Sequence, residues 1–287
     1  MTISQALALS QLHFKKARIV TYQLDSEVLL AHVLQTERSY LFAHPEMVLS
    51  EKQRKAFNAL LTDRSRRVPV AYLVGHKEFF GHSFFVTPKV LIPRPDTELI
   101  VERVNEYIAT HPLSKKVLDI GVGSGCIAAS IALSNPLLRI YGTDISRASL
   151  SIARKNTSRH GVSKRVHFTH AHLYPPAPKQ FDIIVSNPPY LSKREYAASV
   201  KRYPELSAEP KNALIADEKG MRVLKKIITT CADHLAKNGV LFAEIGSGQR
   251  DTISLILKKY LPEARLNFYK DLSGRTRIVQ ISLNGDL

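Results

Sequence analysis

Between residues 116 and 282 the chain alternates seven short runs rich in β-branched and aromatic residues with stretches of helical periodicity, and this alternation constrains the fold more than any other feature. The runs are KVLDI, RIYGTD, RVHFT, FDIIVS, GVLFAE, RLNFY and TRIVQIS. The intervening segments 125–134, 146–160, 218–236 and 247–260 carry apolar residues at helical spacing. Strands separated by helices give βαβ units, and therefore a mostly parallel sheet with helices packed on it. Only DLSGRT separates RLNFYK from RIVQIS, which is too short for the crossover a parallel pair needs, so the last strand is predicted to be antiparallel.

Upstream the pattern changes. Residues 1–70 read as short amphipathic helices: Leu29, Leu30, Val33 and Leu34 follow the cap candidate Asp25, and Ser50 with Gln53 forms a capping box before the stripe Ala56, Phe57, Leu60, Leu61. From Val70 to Val90 the text becomes aromatic and β-branched, punctuated by Gly75 and Gly81, which predicts a β-hairpin connector. The expected organisation is a helical domain at 1–70, a hairpin connector at 71–90 and an α/β domain at 91–287.

A hydrophobic content of 44% over 287 residues fills a real core and excludes disordered and fibrous classes. No stretch approaches the roughly 18 apolar residues of a membrane span, and the N-terminus lacks the ordered regions of a signal peptide, so a cytoplasmic protein is expected. The two cysteines, Cys126 and Cys231, are far apart in sequence and indicate neither a disulfide framework nor a zinc site, and no metal is expected. Forty-one basic against 25 acidic residues give a net charge of +16. Residues 1–90 hold 12 basic and 7 acidic side chains and the remainder 29 and 18, so the charge is spread over the chain. It leaves a nucleic-acid or ribosomal partner open beside simple solubility.

The first chemical signal is Val117-Leu118-Asp119-Ile120-Gly121-Val122-Gly123-Ser124-Gly125, a buried strand entering a glycine turn and then a helix, which is a nucleotide-binding context. Cys126 stands where a dinucleotide fingerprint needs its third small residue, and no G-K-[ST] follows, so neither NAD nor a Walker loop is indicated. Asp144 ends the next strand, 23 residues after Gly121, where a carboxylate can accept both ribose hydroxyls. The same residues also suit a tight turn with Asp144 capping a helix at Ser146.

The second signal is Ser186-Asn187-Pro188-Pro189-Tyr190, directly after the apolar strand Ile183-Ile184-Val185. Successive prolines force an extended, rigid turn, so the Asn187 side-chain oxygen and the Pro188 carbonyl can be presented as two aligned acceptors. Two acceptors match one planar NH2 group. Accepting both hydrogens orients the lone pair of a delocalised nitrogen and raises its electron density, while Tyr190 stacks on the planar group.

These residues resemble the S-adenosylmethionine-dependent amino-methyltransferases, whose motif serves both N6-adenine and glutamine-amide methylation. Pro69–Gly75, Glu78-Phe79-Phe80-Gly81 and Val90–Glu98 narrow the resemblance to the release-factor glutamine N5-methyltransferases (HemK/PrmC), as do Glu209-Pro210, Ala213-Leu214, Glu244-Ile245-Gly246, Asp271 and Gly274. The resemblance covers nearly the whole chain.

It implies a Rossmann-like seven-stranded, mostly parallel α/β sheet with an antiparallel last strand, a small N-terminal helical bundle that docks the release factor, and a β-hairpin connector. It implies S-adenosyl-L-methionine as cofactor, held by Asp119, Gly121, Gly123, Gly125, Asp144, His172 and Asn187. Asn187, Pro188 and Tyr190 are then catalytic, with Pro189 and Arg94 also contacting substrate. Peptide chain release factors are the implied partner, with no membrane association and a monomeric enzyme. One departure is plain: in Thr169-His170-Ala171-His172-Leu173-Tyr174, His172 occupies the place of the family's adenine-contacting acid, and a histidine accepts through one nitrogen at most. Methylation of a nucleic-acid amino group or of a ribosomal-protein glutamine stands as the alternative.

Overall fold

In a computed structural model, residues 1–283 are described. Positions 284–287, the end of the expected α/β domain, lie outside them. The chain forms two units, Met1–His76 with Tyr203–Ala208, and Lys77–Arg202 with the chain from Glu209 onward.

The first unit holds α1 (Ile3–Lys16), α2 (Tyr22–Leu34), α3 (Arg38–Ala43), α4 (Glu51–Ser65) and α5 (Val70–Val74) around Ile3, Phe14, Leu29, Leu30, Leu41 and Phe57. The Ser50–Gln53 capping box forms as read. Asp25 is not a cap: α2 begins before it, and its buried carboxylate accepts from Thr21 Oγ1 at 2.9 Å and Arg64 Nε at 2.7 Å. A buried guanidinium needs a counter-charge more than the helix start needs this residue. Arg64 also reaches Glu205 at 3.0 Å, which ties the segment 203–208 to this unit.

The hairpin is shorter than its text. Residues 70–74 are helical, and the pairing strands are β1 (His76–Phe79) and β2 (His82–Phe85), turning through Phe80 and Gly81 with φ of 51° and 72°. Positive φ at both central residues matches the twist of a two-residue hairpin.

The second unit continues with α6 (Pro95–Thr110), β3 (Lys116–Ile120), α7 (Cys126–Ser134), β4 (Arg139–Asp144), α8 (Arg147–Arg159), β5 (Val166–His170), β6 (Phe181–Ser186), α9 (Lys193–Arg202), α10 (Arg222–Thr230), β7 (Leu235–Glu244), α11 (Arg250–Tyr260), β8 (Arg265–Lys270) and β9 (Thr276–Ser282). The sheet order is β5-β4-β3-β6-β7-β9-β8, and β9 runs antiparallel to both neighbours, as the short DLSGRT link requires. The helix read over 218–236 is confined to α10. Glu218, Lys219 and Gly220 adopt positive φ before it, and Leu235 already belongs to β7.

Central strands are apolar on both faces because helices cover both. Val117, Ile183 and Phe242 pack on one side with α6 and α7, while Leu118, Ile184 and Leu241 pack on the other with α10 and α11. From β3 the chain steps outward to β4 and β5, then returns to place β6 on the other side of β3. Ligands in such sheets bind at this switch point, outside the carboxyl ends of the strands.

Candidate active site

The glycine turn leaves the end of β3 and the Asn187 loop leaves the end of β6, so both flank the switch point. Together with Asp144, Ser146, His172, Leu173 and the segment Lys89–Leu91, they line a cavity of about 190 Å³. Gly121 and Gly123 form part of its wall, and a Cβ built on Gly121 would meet nothing within 4 Å. Gly125 has the opposite role. With φ +81°, its Cβ would lie 3.0 Å from the Ala153 Cβ, so the turn must be bare here for α7 to pack on α8.

Asp144 fixes the turn through both carboxylate oxygens, accepting from the Gly123 amide at 2.9 Å and the Ser146 amide at 2.7 Å. Ser146 caps α8 by accepting from the Ser149 amide. Capping and a place in the cavity wall therefore coexist. Asp119, in the buried end of β3, does not line the cavity. It is fully buried, and neither carboxylate oxygen has a side-chain partner among the described residues. Burial pushes its carboxyl up to about 7, opposed by the Ala128 backbone amide and reinforced by the charge of Asp144.

The Asn187 side chain is held by Thr97 and Glu244, which the sequence carried only as part of the family resemblance and to which it gave no site role. Its Nδ2 donates to Thr97 Oγ1 at 2.9 Å, and Thr97 Oγ1 donates to Glu244 Oε2 at 2.6 Å. Burial pushes Glu244 up to about 7, opposed by its hydrogen bonds with Thr97 and Tyr190 and by Arg277, and reinforced by Asp96. The rule that singled out Asp144, an acid ending a strand, also fits Glu244 at the end of β7.

Pro188 and Pro189 line the cavity with Asn187. Tyr190 lines a neighbouring cavity of about 550 Å³ with Gly246–Gln249 and Arg277, and its hydroxyl pKa is raised by burial and by Glu244. Arg94 lines neither. It stands at the residue preceding α6, without a side-chain cap, and pairs with buried Glu209, which also accepts the Ile92 amide at 3.1 Å. His172 is exposed at the cavity wall. Both cysteines are buried, with thiols pushed up to about 12, so neither supplies a thiolate near neutrality. No cluster suited to a metal ion occurs among the described residues, and none of their helices is long and apolar enough to cross a membrane.

A mostly parallel sheet with a glycine turn, a strand-ending acid and an Asn-Pro-Pro-Tyr loop at its switch point defines a methyltransferase of Rossmann-like fold. Residues 95–217 match the family described as methyltransferase small domain, and residues 5–75 that described as PrmC N-terminal domain. The chain is 35% identical to the release factor glutamine methyltransferase of Koribacter versatilis, covering 97% of this chain and 98% of that one. It is 38% identical to the release factor glutamine methyltransferase of Chlorobaculum tepidum over 81% of each. The chain belongs to the release factor glutamine methyltransferase family. Its fold is shared with the hMettl16 catalytic domain solved with a MAT2A 3'UTR hairpin, at a TM-score of 0.59, 17% identity and coverage of 79% and 83%.

Proposed function

We propose that this enzyme transfers a methyl group from S-adenosyl-L-methionine to the side-chain amide nitrogen, N5, of a glutamine in the GGQ loop of peptide chain release factors. The observation that carries the reading is the Asn187 amide. Its NH2 is taken by Thr97 at 2.9 Å, which leaves the side-chain oxygen to accept from a substrate amide in the cavity shared with the glycine turn.

The cavity fits the cofactor in three respects. Gly121 and Gly123 leave an open cradle, Asp144 stands where ribose hydroxyls need an acceptor, and the Asp119 carboxyl, buried without a side-chain partner two residues before the turn, can ionise in response to an ammonium group. Bound there, S-adenosyl-L-methionine supplies a methyl group on a cationic sulfonium, already activated for in-line displacement. Asn187 and the Pro188 carbonyl accept the two amide hydrogens and orient the nitrogen. The apolar prolines and Leu173 keep water out. A nitrogen that takes the methyl group becomes cationic and strongly acidic, so one of its N–H protons is lost to solvent afterwards and the neutral N-methyl amide remains. Arg94 acts through Glu209, which holds the segment entering α6, and Tyr190 braces the loop against Glu244.

Residues 1–70 serve as the docking domain, because a slot for one planar NH2 group cannot tell one glutamine from another. The enzyme is taken to be a cytoplasmic monomer, and light scattering of the purified chain tests the second part. Labelled methyl transfer to purified release factors, with DNA and RNA as controls, tests the substrate. Label in the glutamine of a release factor is the expected result, and equal labelling of nucleic acid removes the assignment.

A further inference from the structure

The Asn187 side chain has two chemically opposite prongs, and the slot recognises an NH2 group only if the oxygen faces it. Asn187 alone does not decide this. Thr97, on α6, places its Oγ1 2.9 Å from Nδ2 of Asn187, which follows β6, and 2.6 Å from Oε2 of Glu244, at the end of β7. A hydroxyl has one hydrogen. An ionised Glu244 only accepts, so it claims that hydrogen, and the Thr97 oxygen is left to accept from Asn187. The amide must then turn its NH2 inward and its oxygen toward the cavity. Thr97 and Glu244 are both buried, so water does not scramble the arrangement.

We propose that Thr97 and Glu244 form a polarity relay that positions Asn187 and makes the slot select an acceptor bearing two N–H hydrogens. This rests on the reading of Asn187 as the residue that receives the substrate amide. Neither relay residue touches the substrate; both are positioning residues.

The relay has a second state. A protonated Glu244 donates to the Thr97 oxygen, whose own hydrogen then goes to Asn187 Oδ1. The amide turns over and presents its NH2 to the cavity, donor against donor. The groups facing Glu244 are Arg277 of β9, which favours the ionised form, Asp96 of α6, which opposes it, and the Tyr190 hydroxyl after β6. Arg277 is itself paired with Asp96 and Asp271, each at 2.9 Å. With burial included, Glu244 titrates at about 7, so the two states interchange near neutrality.

The test compares Thr97→Val, which keeps the shape and removes the hydroxyl, with Thr97→Ser, which restores it, using a release factor as substrate. Thr97→Val is expected to lower kcat by roughly 30-fold or more with calorimetric cofactor affinity within about twofold of wild type, and Thr97→Ser to recover to within about threefold. Wild-type kcat is expected to fall as pH drops through about 7, by up to about tenfold per unit, and Thr97→Val to lose that step.

A readout free of turnover is the Asn187 side-chain amide resonance in selectively labelled, cofactor-free protein. It should titrate with the same midpoint in wild type and Thr97→Ser and stay flat in Thr97→Val. Wild-type turnover by Thr97→Val, equal loss in Thr97→Ser, or a flat Asn187 resonance in wild type overturns the relay. Asn187→Ala separates the two levels. If it is inactive while Thr97→Val is normal, the relay alone falls; if it methylates normally, the reading of the glutamine slot falls with it.

Discussion

Asn156 of α8 donates a 2.8 Å hydrogen bond to the carbonyl of Ser124, so a helix three elements downstream grips the glycine turn. The same amide accepts the Phe85 N–H at 2.8 Å and donates to the Phe85 carbonyl at 2.9 Å. One fully buried side chain thus satisfies three backbone groups and joins the hairpin to the glycine turn. Asn156→Ala leaves those three groups without this partner and should cost about 3 kcal/mol of stability or more, since each unmade buried hydrogen bond costs about 1–3. It should also weaken cofactor binding, because the turn loses its outer restraint. Denaturant melts with and without cofactor check both effects; a melt like wild type would mean that water replaces the amide.

Asp144 joins the cradle from the other side, with one backbone amide on each carboxylate oxygen. Asp144→Ala should weaken S-adenosyl-L-methionine by about 1–3 kcal/mol, the scale of a lost charge-assisted hydrogen bond together with a loosened turn. His172 is exposed and should behave differently, with His172→Ala changing affinity by less than about threefold, under about 1 kcal/mol. Calorimetry on the two variants measures both; equal losses would make the imidazole part of the adenine site.

The buried carboxyl of Asp119 sets a pH dependence with a definite sign. Its pKa rises from 3.8 to about 7, so between those values the folded chain holds a proton that the unfolded chain has released. Stability therefore falls as pH rises through that window, by at most about 1.4 kcal/mol per unit. Glu244, raised from 4.5 to about 7, acts in the same direction. Asp119→Asn should flatten part of this slope and raise the melting temperature of the cofactor-free protein at pH 8, while weakening binding of the cofactor's ammonium end. A variant that melts lower at pH 8 would show that the charge is compensated inside the fold.

In the helical unit the ion pair of Arg64 with Asp25 is buried at both ends, with side-chain exposures of 5% and 8%. Removing one partner strands a charge. Asp25→Ala should cost about 3–5 kcal/mol, and Asp25→Ala with Arg64→Met should recover much of it, because the pair is worth less than the penalty for breaking it. A double variant no more stable than Asp25→Ala would show that Glu205 alone satisfies the guanidinium once Asp25 is gone.

The sheet was legible because its strands alternate with helices at distinct periods, and even the antiparallel β9 follows from the length of one link. The glycine turn and the Asn187 loop were legible because their chemistry lies in contiguous residues. The relay was not: Thr97 and Asn187 are separated by 90 residues and Thr97 and Glu244 by 147, and an isolated threonine in a helix start has no local signature. Asp25 misled for a related reason, since an acid early in a helix reads as a cap until the buried Arg64 that claims it, 39 residues on, is known. Tyr190 sits in the motif, but its own direction, toward the cavity it shares with Arg277, is set by Glu244.

The docking role proposed for residues 1–70 leads to a test that leaves the catalytic unit untouched. Deleting the domain is a poor probe, because the segment 203–208 is built into the helical unit and Glu205 would lose Arg64 and Arg67. Surface substitutions avoid this. Val20 is 93% exposed and Leu24 46%, and they border a mostly polar groove with Thr21, Gln23 and the ion pair Glu27–Arg38. Exposed apolar groups so framed suit a protein partner better than solvent. Val20→Asp with Leu24→Asp should raise KM for an intact release factor by about tenfold or more, equivalent to about 1.4 kcal/mol of lost binding, while methylation of a short glutamine peptide stays unchanged. A fall in both substrates would point to damage to the fold, which thermal melting detects. An unchanged KM for the release factor in a folded variant would move the docking surface elsewhere in the chain.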